Sequence, residues 1–278
     1  MQRHDATWSE PMFLEVNGVS TYVEVGGGGY PVVLIHALGT SLRSWDRVVP
    51  VLEKRYRVVR YDYRGHGRSE KPAGPASLPL LAEDLRALLQ ALGFAQVHIV
   101  GLAVGAMIAQ QFAVDHRGLA SGLVLADTRS AIDRSAAVYN EGRAEMVERG
   151  GMRAAVDQTI ERAFAPGFAV RHSEALAAFR GEFLSNDPHG YASISRALSS
   201  FHVTDRLPDI DCPTLLLTGE MDRLCPPAEA AAMHSRLPKA TLEILPGVGH
   251  FSAVEAPEAF AERALAFLDG IGPETSAK

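Results

Sequence analysis

The sequence predicts an α/β fold, in which a mostly parallel sheet of eight strands is flanked by helices on both faces. Short runs of β-branched and other apolar residues alternate with segments of helical periodicity along most of the 278 residues, a pattern typical of parallel strands joined by helices. One block, residues 128–207, interrupts this alternation with helical stretches alone. A chain of this length is long enough for one such core with an insertion.

The first four predicted strands are a hairpin and two buried runs. The stretch "MFLEVNGVSTYVEV" turns at Asn17-Gly18, and an Asn-Gly pair favours the tight turn of a hairpin. The dense apolar runs "PVVLIHA" (31–37) and "YRVVRYDYRG" (56–65) are expected deep in the sheet. Before them, "GGGG" (26–29) follows a strand but opens no helix, so we expect a flexible hairpin connection, no phosphate-binding loop and no cofactor.

A leucine stripe predicts the first long helix, and the alternation of strands and helices continues after it. Leucines recur at helical spacing on one face, and Gly93 ends the stretch. The stripe consists of Leu81, Leu85, Leu88, Leu89 and Leu92. Later strands are predicted at 97–101, 121–127, 213–220 and 240–247, with helices at 105–113 and 257–268.

The helical block after the sixth strand is predicted to form a lid. Its helical stretches are 136–151, 151–164, 173–186 and 190–201. An insertion between parallel strands is expected over their carboxyl ends, where ligands bind in open α/β sheets. We therefore divide the chain into a core, residues 1–127 and 208–278, and a helical cap, residues 128–207. The tail "IGPETSAK" is expected to be frayed.

The composition argues against several classes of partner and site. A net charge of −6 gives no basic excess for a phosphate backbone, so no nucleic-acid partner is expected. No apolar run suits a membrane span, and the opening "MQRHDATWSEP" lacks the apolar run of a signal peptide, so we expect a cytoplasmic protein. We further expect a monomer or homodimer whose partner is a small-molecule substrate. Cys212 and Cys225 lack metal-ligand spacing, so free thiols and no metal are expected.

The stretch "GLAVGAM" (101–107) joins a predicted strand to a predicted helix. Small residues at Gly101 and Gly105 let the chain reverse sharply and push residue 103 out at the edge of the sheet. This is the spacing of the nucleophile elbow, G-x-S-x-G, but Ala103 stands where the hydroxyl is needed.

Two loops at the same predicted edge carry an acid and a histidine. Asp222 follows the strand 213–220, and His250 follows the strand 240–247 just before the last helix. A histidine acts as a general base when one ring nitrogen faces the reacting centre and the other donates to a carboxylate. Asp222 suits that carboxylate role, and Asp127, after an earlier strand, is either a competing acid or a helix cap.

The loop that begins at His36 is predicted to supply a backbone donor. We expect the N–H group of Ala37, together with that of Val104 beside the elbow, to stabilise a developing oxyanion. His36 itself either belongs to the pocket or is buried and shapes the loop. In "DYRGHGRS", Asp62 and Arg64 are expected to pin a structural turn.

These motifs, "HALGTS", "DYRGHGRS", "GLAVGAM", "GEMDRLCPP" and "GVGHFSAVEAPEAF", resemble those of the α/β-hydrolase superfamily over nearly the whole chain. The stretches "HALGTSLRSWD", "GLAVGAMIAQ" and "SNDPHGYASISRAL" are most similar to 3-oxoadipate enol-lactonases; aminoacrylate hydrolases, which can carry alanine at the elbow, are similar too. The resemblance implies a lactonase- or esterase-like hydrolase of a small polar metabolite. It also implies that Ala103 occupies the nucleophile site, Asp222 that of the acid, His250 that of the base, and Ala37 with Val104 the oxyanion hole.

Three hypotheses account for Ala103. It is an engineered replacement of a native serine in an enzyme with an acyl-enzyme route, or it is natural in an enzyme where His250, oriented by Asp222, activates water directly or moves a proton in a lyase-type reaction. The third hypothesis is a non-catalytic protein that keeps the pocket to bind a small ligand. The second requires an activated substrate such as an enol lactone, an enamine or a carbamate.

Substrate contacts are predicted in the lid and at the pocket rim. An arginine there suits a small dicarboxylate, because a guanidinium matches a carboxylate in two-point geometry. Besides His36, the candidates are Trp45, Arg129, Arg180, Arg196 and His202.

Overall fold

A computed structural model describes residues 11–271, and these residues form one eight-stranded sheet with helices on both faces. The strands are β1 (Met12–Val16), β2 (Val19–Gly27), β3 (Tyr30–Ile35), β4 (Tyr56–Tyr61), β5 (Val97–Leu102), β6 (Ala120–Ala126), β7 (Thr214–Gly219) and β8 (Ala240–Leu245). Their order is β1-β2-β4-β3-β5-β6-β7-β8, with β2 antiparallel to both of its neighbours and every other pair parallel. The predicted mostly parallel sheet is confirmed. The tail that we expect to be frayed lies, beyond Ile271, outside the described residues.

Helices connect the strands and cover the sheet. They are α1 (Val49–Leu52), α2 (Leu78–Ala91), α3 (Val104–Asp115), α4 (Arg134–Gly150), α5 (Arg153–Ala163), α6 (Phe168–Arg171), α7 (Ser173–Ser185), α8 (Pro188–Leu198), α9 (Pro227–His234), α10 (Ser252–Glu255) and α11 (Pro257–Ile271). The leucine stripe of α2 is buried as predicted, and Ser77 caps the helix by accepting from the Leu80 N–H at 3.2 Å. None of the helices within residues 11–271 is long and apolar enough to cross a membrane.

The hairpin connection that we predict at residues 26–29 is wrong. Gly26 and Gly27 belong to β2, and they pair with Val58 and Arg57 of β4. β4 lies between β2 and β3 in the sheet, so the two residues after β2 carry the chain past β4 to β3. β3 then runs parallel to β4. The connection thus joins strands that are not neighbours.

Five helices, α4 to α8, follow β6 and precede β7. The two ends of this block meet in an antiparallel bridge between Ala131 and His202. The block therefore leaves and re-enters the sheet edge at one place, beside the carboxyl ends of the strands.

The turn after β4 is held by charged side chains, as predicted. The Asp62 carboxylate accepts from the backbone N–H groups of Leu42 at 2.7 Å and Arg68 at 2.8 Å. Arg64 pairs with the buried carboxylate of Asp84 in α2, with 2.6 Å between Nη2 and Oδ1. Asp62 therefore holds backbone N–H groups and Arg64 forms an ion pair, and together they fix the turn.

Candidate active site

The elbow between β5 and α3 holds Ala103 in a strained backbone conformation. Its φ is 52° and its ψ is −109°, a region that costs a non-glycine residue on the order of 1–3 kcal/mol. Gly105 is required beside it, because a Cβ at that position would collide with the Ile35 carbonyl oxygen of β3. The tight packing of strand and helix therefore imposes the turn that carries residue 103.

His250 and Asp222 form a buried hydrogen-bonded pair at the same sheet edge. Nδ1 of His250 lies 2.8 Å from Oδ2 of Asp222. The other oxygen of Asp222 accepts from the N–H groups of Leu224 at 2.8 Å and Cys225 at 2.9 Å. The carboxylate is thus fixed from one side by its own loop and oriented toward the imidazole on the other.

Asp127, the competing acid, has different partners. Oδ1 accepts from Gly219 N at 3.0 Å, and Oδ2 accepts from Ser252 N at the start of α10 at 2.9 Å. Asp127 therefore ties the ends of β6 and β7 to α10 and caps that helix across the sheet edge, while Asp222 orients the histidine.

Nearby carboxylates set the electrostatics of His250. Burial lowers its pKa, but the charge of Asp222, the hydrogen bond to it and the neighbouring Asp127 together hold the pKa above the ordinary 6.5. Burial and the charge of Asp222 raise the pKa of the Asp127 carboxyl. The imidazole is consequently well suited to accept a proton and to remain charged beside Asp222.

A cavity of about 220 Å³ opens above the elbow and is lined by Ala37 and Val104, the two residues whose N–H groups we predict as donors. We call its sheet-edge side the floor: Ala37, Ala103, Val104 and His250, together with Asp222, which lies behind His250. Val104 is the first residue of α3, so its N–H has no partner within the helix. The floor therefore brings Ala37, Val104, the elbow and the imidazole around one space.

His36 is not part of this cavity, which corrects the prediction that it contacts substrate. It is fully buried, its ring stacks on Tyr63 with centroids 4.0 Å apart, and its Nε2 accepts from Tyr63 N at 3.4 Å. Burial lowers the pKa of His36 to about 4, so the ring is neutral. His36 shapes the loop beneath Ala37, the alternative role that the sequence left open.

Of the other five predicted contact residues, one lines the cavity and four do not. Arg129 lines the cavity and donates to the Leu224 carbonyl. The other four do not line the cavity, and each contacts a residue outside it. Trp45 is fully buried against Phe260, and Arg180 pairs with Asp157. Arg196 pairs with Glu141 and Glu148, and the exposed His202 lies beside Asp205. Polar and aromatic residue types alone did not distinguish these positions from the cavity wall.

Three cavity arginines were missed by the sequence reasoning. Arg143 and Arg162 come from α4 and α5, and Arg223 comes from the loop after β7. A partial signal existed, since Tyr139 and Arg143 are four residues apart and share one face of a helix. Which face of α4 turns toward the cavity depends on helix packing, and the sequence carries no mark of it.

We call the opposite wall of the cavity the roof: Tyr139, Arg143 and Arg162. Both guanidinium groups lie over the Tyr139 ring, with Cζ of Arg143 5.2 Å and Cζ of Arg162 4.2 Å from the ring centroid. Arg143 also reaches Asn140 Oδ1 at 3.2 Å. Within residues 11–271, neither arginine has a carboxylate within the 4.0 Å of an ion pair.

Three potential metal ligands meet at the floor, in Asp222, Cys225 and His250, whose ligand atoms lie within 4.8 Å of one another. A thiol must lose its proton to bind a metal, and burial raises the pKa of the Cys225 thiol strongly. The histidine nitrogen and the carboxylate already bind each other. The group therefore suits a hydrogen-bonded pair better than a metal centre.

Comparison with known proteins finds an enol-lactonase both by sequence and by structure. The family model for the alpha/beta hydrolase fold matches residues 30–257. The 3-oxoadipate enol-lactonase 2 of Acinetobacter baylyi is 29% identical over 240 residues, 86% of this chain and 89% of the relative. A putative carbamate hydrolase, RutD, of a Caulobacter species is 31% identical over 256 residues, 90% of this chain and 96% of the relative. The crystal structure of the enol-lactonase from Burkholderia xenovorans has a TM-score of 0.89 at 30% identity, covering 93% of this chain and 100% of that one.

Proposed function

Since the chain belongs to the α/β-hydrolase family, we propose that it hydrolyses a small, activated acyl compound, with His250 as the base that activates water. The observation that carries the proposal is the bond between His250 Nδ1 and Asp222, because it leaves Nε2 for the reaction in a cavity that also holds the elbow. Relatives bear the names enol-lactonase and carbamate hydrolase. An enol lactone is activated by its enolate leaving group, so direct attack by water needs no covalent intermediate, which suits an elbow without a hydroxyl.

In the proposed reaction, Nε2 of His250 removes a proton from water while the water oxygen attacks the acyl carbon. The N–H groups of Ala37 and Val104 stabilise the negative charge that develops on the acyl oxygen. The imidazolium, stabilised by Asp222, then returns the proton to the leaving oxygen or nitrogen as its bond to the acyl carbon breaks. One water is consumed: an open-chain ester or amide gives an acid and a hydroxyl or amino compound, and an enol lactone opens to one product that carries both groups.

We assign the roof of the cavity to a carboxylate of the substrate. Arg143 and Arg162 present guanidinium groups to the cavity without a carboxylate partner among the described residues, and stacking on Tyr139 restricts their orientation. A guanidinium binds a carboxylate by two parallel hydrogen bonds. The substrate is then an acyl compound with its reacting bond at the floor and a carboxylate at the roof.

Residues 128–207 serve as the lid in this proposal. Both roof arginines belong to α4 and α5 of that block, whereas the base and the elbow belong to the sheet edge. A substrate bound at both ends connects the two parts and excludes water other than the nucleophile.

The experiment is a comparison of three proteins, the chain with Ala103, Ala103→Ser and His250→Ala, on an enol lactone and on activated esters. We expect turnover by the chain with Ala103, and a fall in kcat/KM of about 10²- to 10⁴-fold in His250→Ala, the usual contribution of a general base. His202→Ala is the matched control, since this histidine is exposed and outside the cavity.

The other hypotheses for Ala103 give different results. A nearly inactive chain that gains several orders of magnitude in Ala103→Ser would establish the acyl-enzyme route instead. No turnover by any of the three proteins, with saturable binding of the substrate, would establish a ligand-binding protein.

A further inference from the structure

The loop after β3 is held from two directions. We call residues 37–41 the oxyanion loop, because its first residue, Ala37, is the proposed backbone donor. The Ala37 carbonyl accepts from Thr40 Oγ1 at 2.9 Å and from the Tyr63 hydroxyl at 3.1 Å. These contacts come from the loop itself and from the core, and they secure the end of the loop next to β3.

The far end of the loop is bound by α7, a helix of the block 128–207. Oε1 of Glu182 accepts from both the N–H of Ser41 at 2.5 Å and its hydroxyl at 2.6 Å. Nδ2 of Asn186 donates to the Gly39 carbonyl at 2.9 Å. The last turn of α7 and the residue that follows it, Asn186, thus contact two residues of the loop through three hydrogen bonds.

Close packing accompanies these bonds. Gly39 has a φ of +76°, and a Cβ there would lie 2.6 Å from a ring carbon of Phe183, so only glycine fits. Phe183 is fully buried and follows Glu182 in α7. Burial raises the pKa of the Glu182 carboxyl to about 7 although the bonds from Ser41 lower it, and those bonds replace part of the hydration that the carboxyl has lost.

We propose that Glu182 and Asn186 are positioning residues, through which α7 holds the oxyanion loop in the conformation that aims the Ala37 N–H at the acyl oxygen. Neither side chain lines the cavity, so both act through the loop. An oxyanion donor is effective only when it is fixed before the charge develops. Loss of these contacts with α7 should therefore free the donor loop.

The first test is amide hydrogen exchange of the oxyanion loop, which needs no substrate. In Glu182→Ala, the exchange rate of the Ser41 amide should rise about tenfold, the effect of losing a hydrogen bond that closes the loop. Glu182→Gln should retain most of the protection, because its amide oxygen can accept the same two bonds. Glu174→Ala, an exposed acid on the same helix, should change nothing. Unchanged exchange in Glu182→Ala would overturn the proposal.

The second test is kinetic and rests on the proposed function. On the enol lactone, Glu182→Ala and Asn186→Ala should lower kcat at least about tenfold with KM within about twofold, since the donor acts mainly in the transition state. Glu182→Gln should recover most of kcat. Equal losses in kcat for Glu182→Ala and Glu174→Ala, or a change confined to KM, would contradict a positioning role. If neither the parent nor any variant turns over substrate, the proposed function fails, but the exchange experiment still shows whether Glu182 holds the oxyanion loop.

Discussion

The floor and the roof of the cavity are built by different means. At the floor, each group sits at or just beyond the carboxyl end of a strand, and hydrogen bonds within the core orient it: Ala103 after β5, Asp222 after β7 and His250 after β8. At the roof, Arg143 and Arg162 project from helices, and a stacked tyrosine rather than an ion pair holds them. The floor is thus fixed by hydrogen bonds, whereas the roof presents positive charge that has no ion-pair partner among the described residues.

The difference separates two kinds of effect on catalysis. Groups that act on the reacting atoms change kcat, because they stabilise the transition state more than the bound substrate. Groups that bind a distant carboxylate hold substrate and transition state alike, so their loss appears mainly in KM. The two walls are therefore separable by kinetics.

The largest effect is expected from Asp222→Asn at the floor. An amide in place of the carboxylate removes the charge that stabilises the imidazolium and favours the wrong tautomer of His250, so kcat should fall on the order of 10²- to 10⁴-fold. Steady-state kinetics on the enol lactone provides the measurement. Asp157→Asn, at an exposed ion pair of α5, is the matched control, and a loss confined to KM would refute the separation of floor and roof.

A smaller effect is expected from Arg143→Met at the roof. Loss of one guanidinium should raise KM about ten- to a hundredfold for a substrate with a carboxylate and leave kcat within a few-fold. The same substrate as its methyl ester should show little difference between the two proteins. Arg196→Met, in the same helical block but outside the cavity, should match the parent; a loss of kcat alone in Arg143→Met would place this arginine at the reacting bond instead.

The smallest effect is expected in the pH dependence of kcat/KM, which depends on the floor and not on the roof. His250 must be neutral to act as a base, and its pKa lies above 6.5 because of Asp222 and Asp127, so kcat/KM should fall as the pH is lowered through that pKa, about tenfold per unit well below it. In Asp222→Asn, the residual activity should show this limb at lower pH. Arg143→Met, remote from the pair, should leave it in place.

The residues of the floor could be predicted because each of them lies close after a predicted strand of a parallel sheet. Once the dense apolar runs are assigned as parallel strands, the residues that follow them meet at one edge, which brings Ala103, Asp222 and His250 together without further information. The choice between Asp127 and Asp222 could not be made in this way, since both follow strands. Hydrogen bonds from Gly219 and Ser252 to Asp127 decided it.

The sequence by itself determined the α/β sheet, the elbow at residue 103 and the acid and base around it, because these depend on local periodicity and on the short turns that follow strands. Only the tertiary structure decided which arginines face the cavity, that His36 and Trp45 are buried elsewhere, and that α7 holds the oxyanion loop. Those outcomes depend on how helices rotate and pack against the sheet edge. Amphipathic periodicity indicates that a helix has a buried face, but the neighbour that covers this face is selected by the packing of the whole chain.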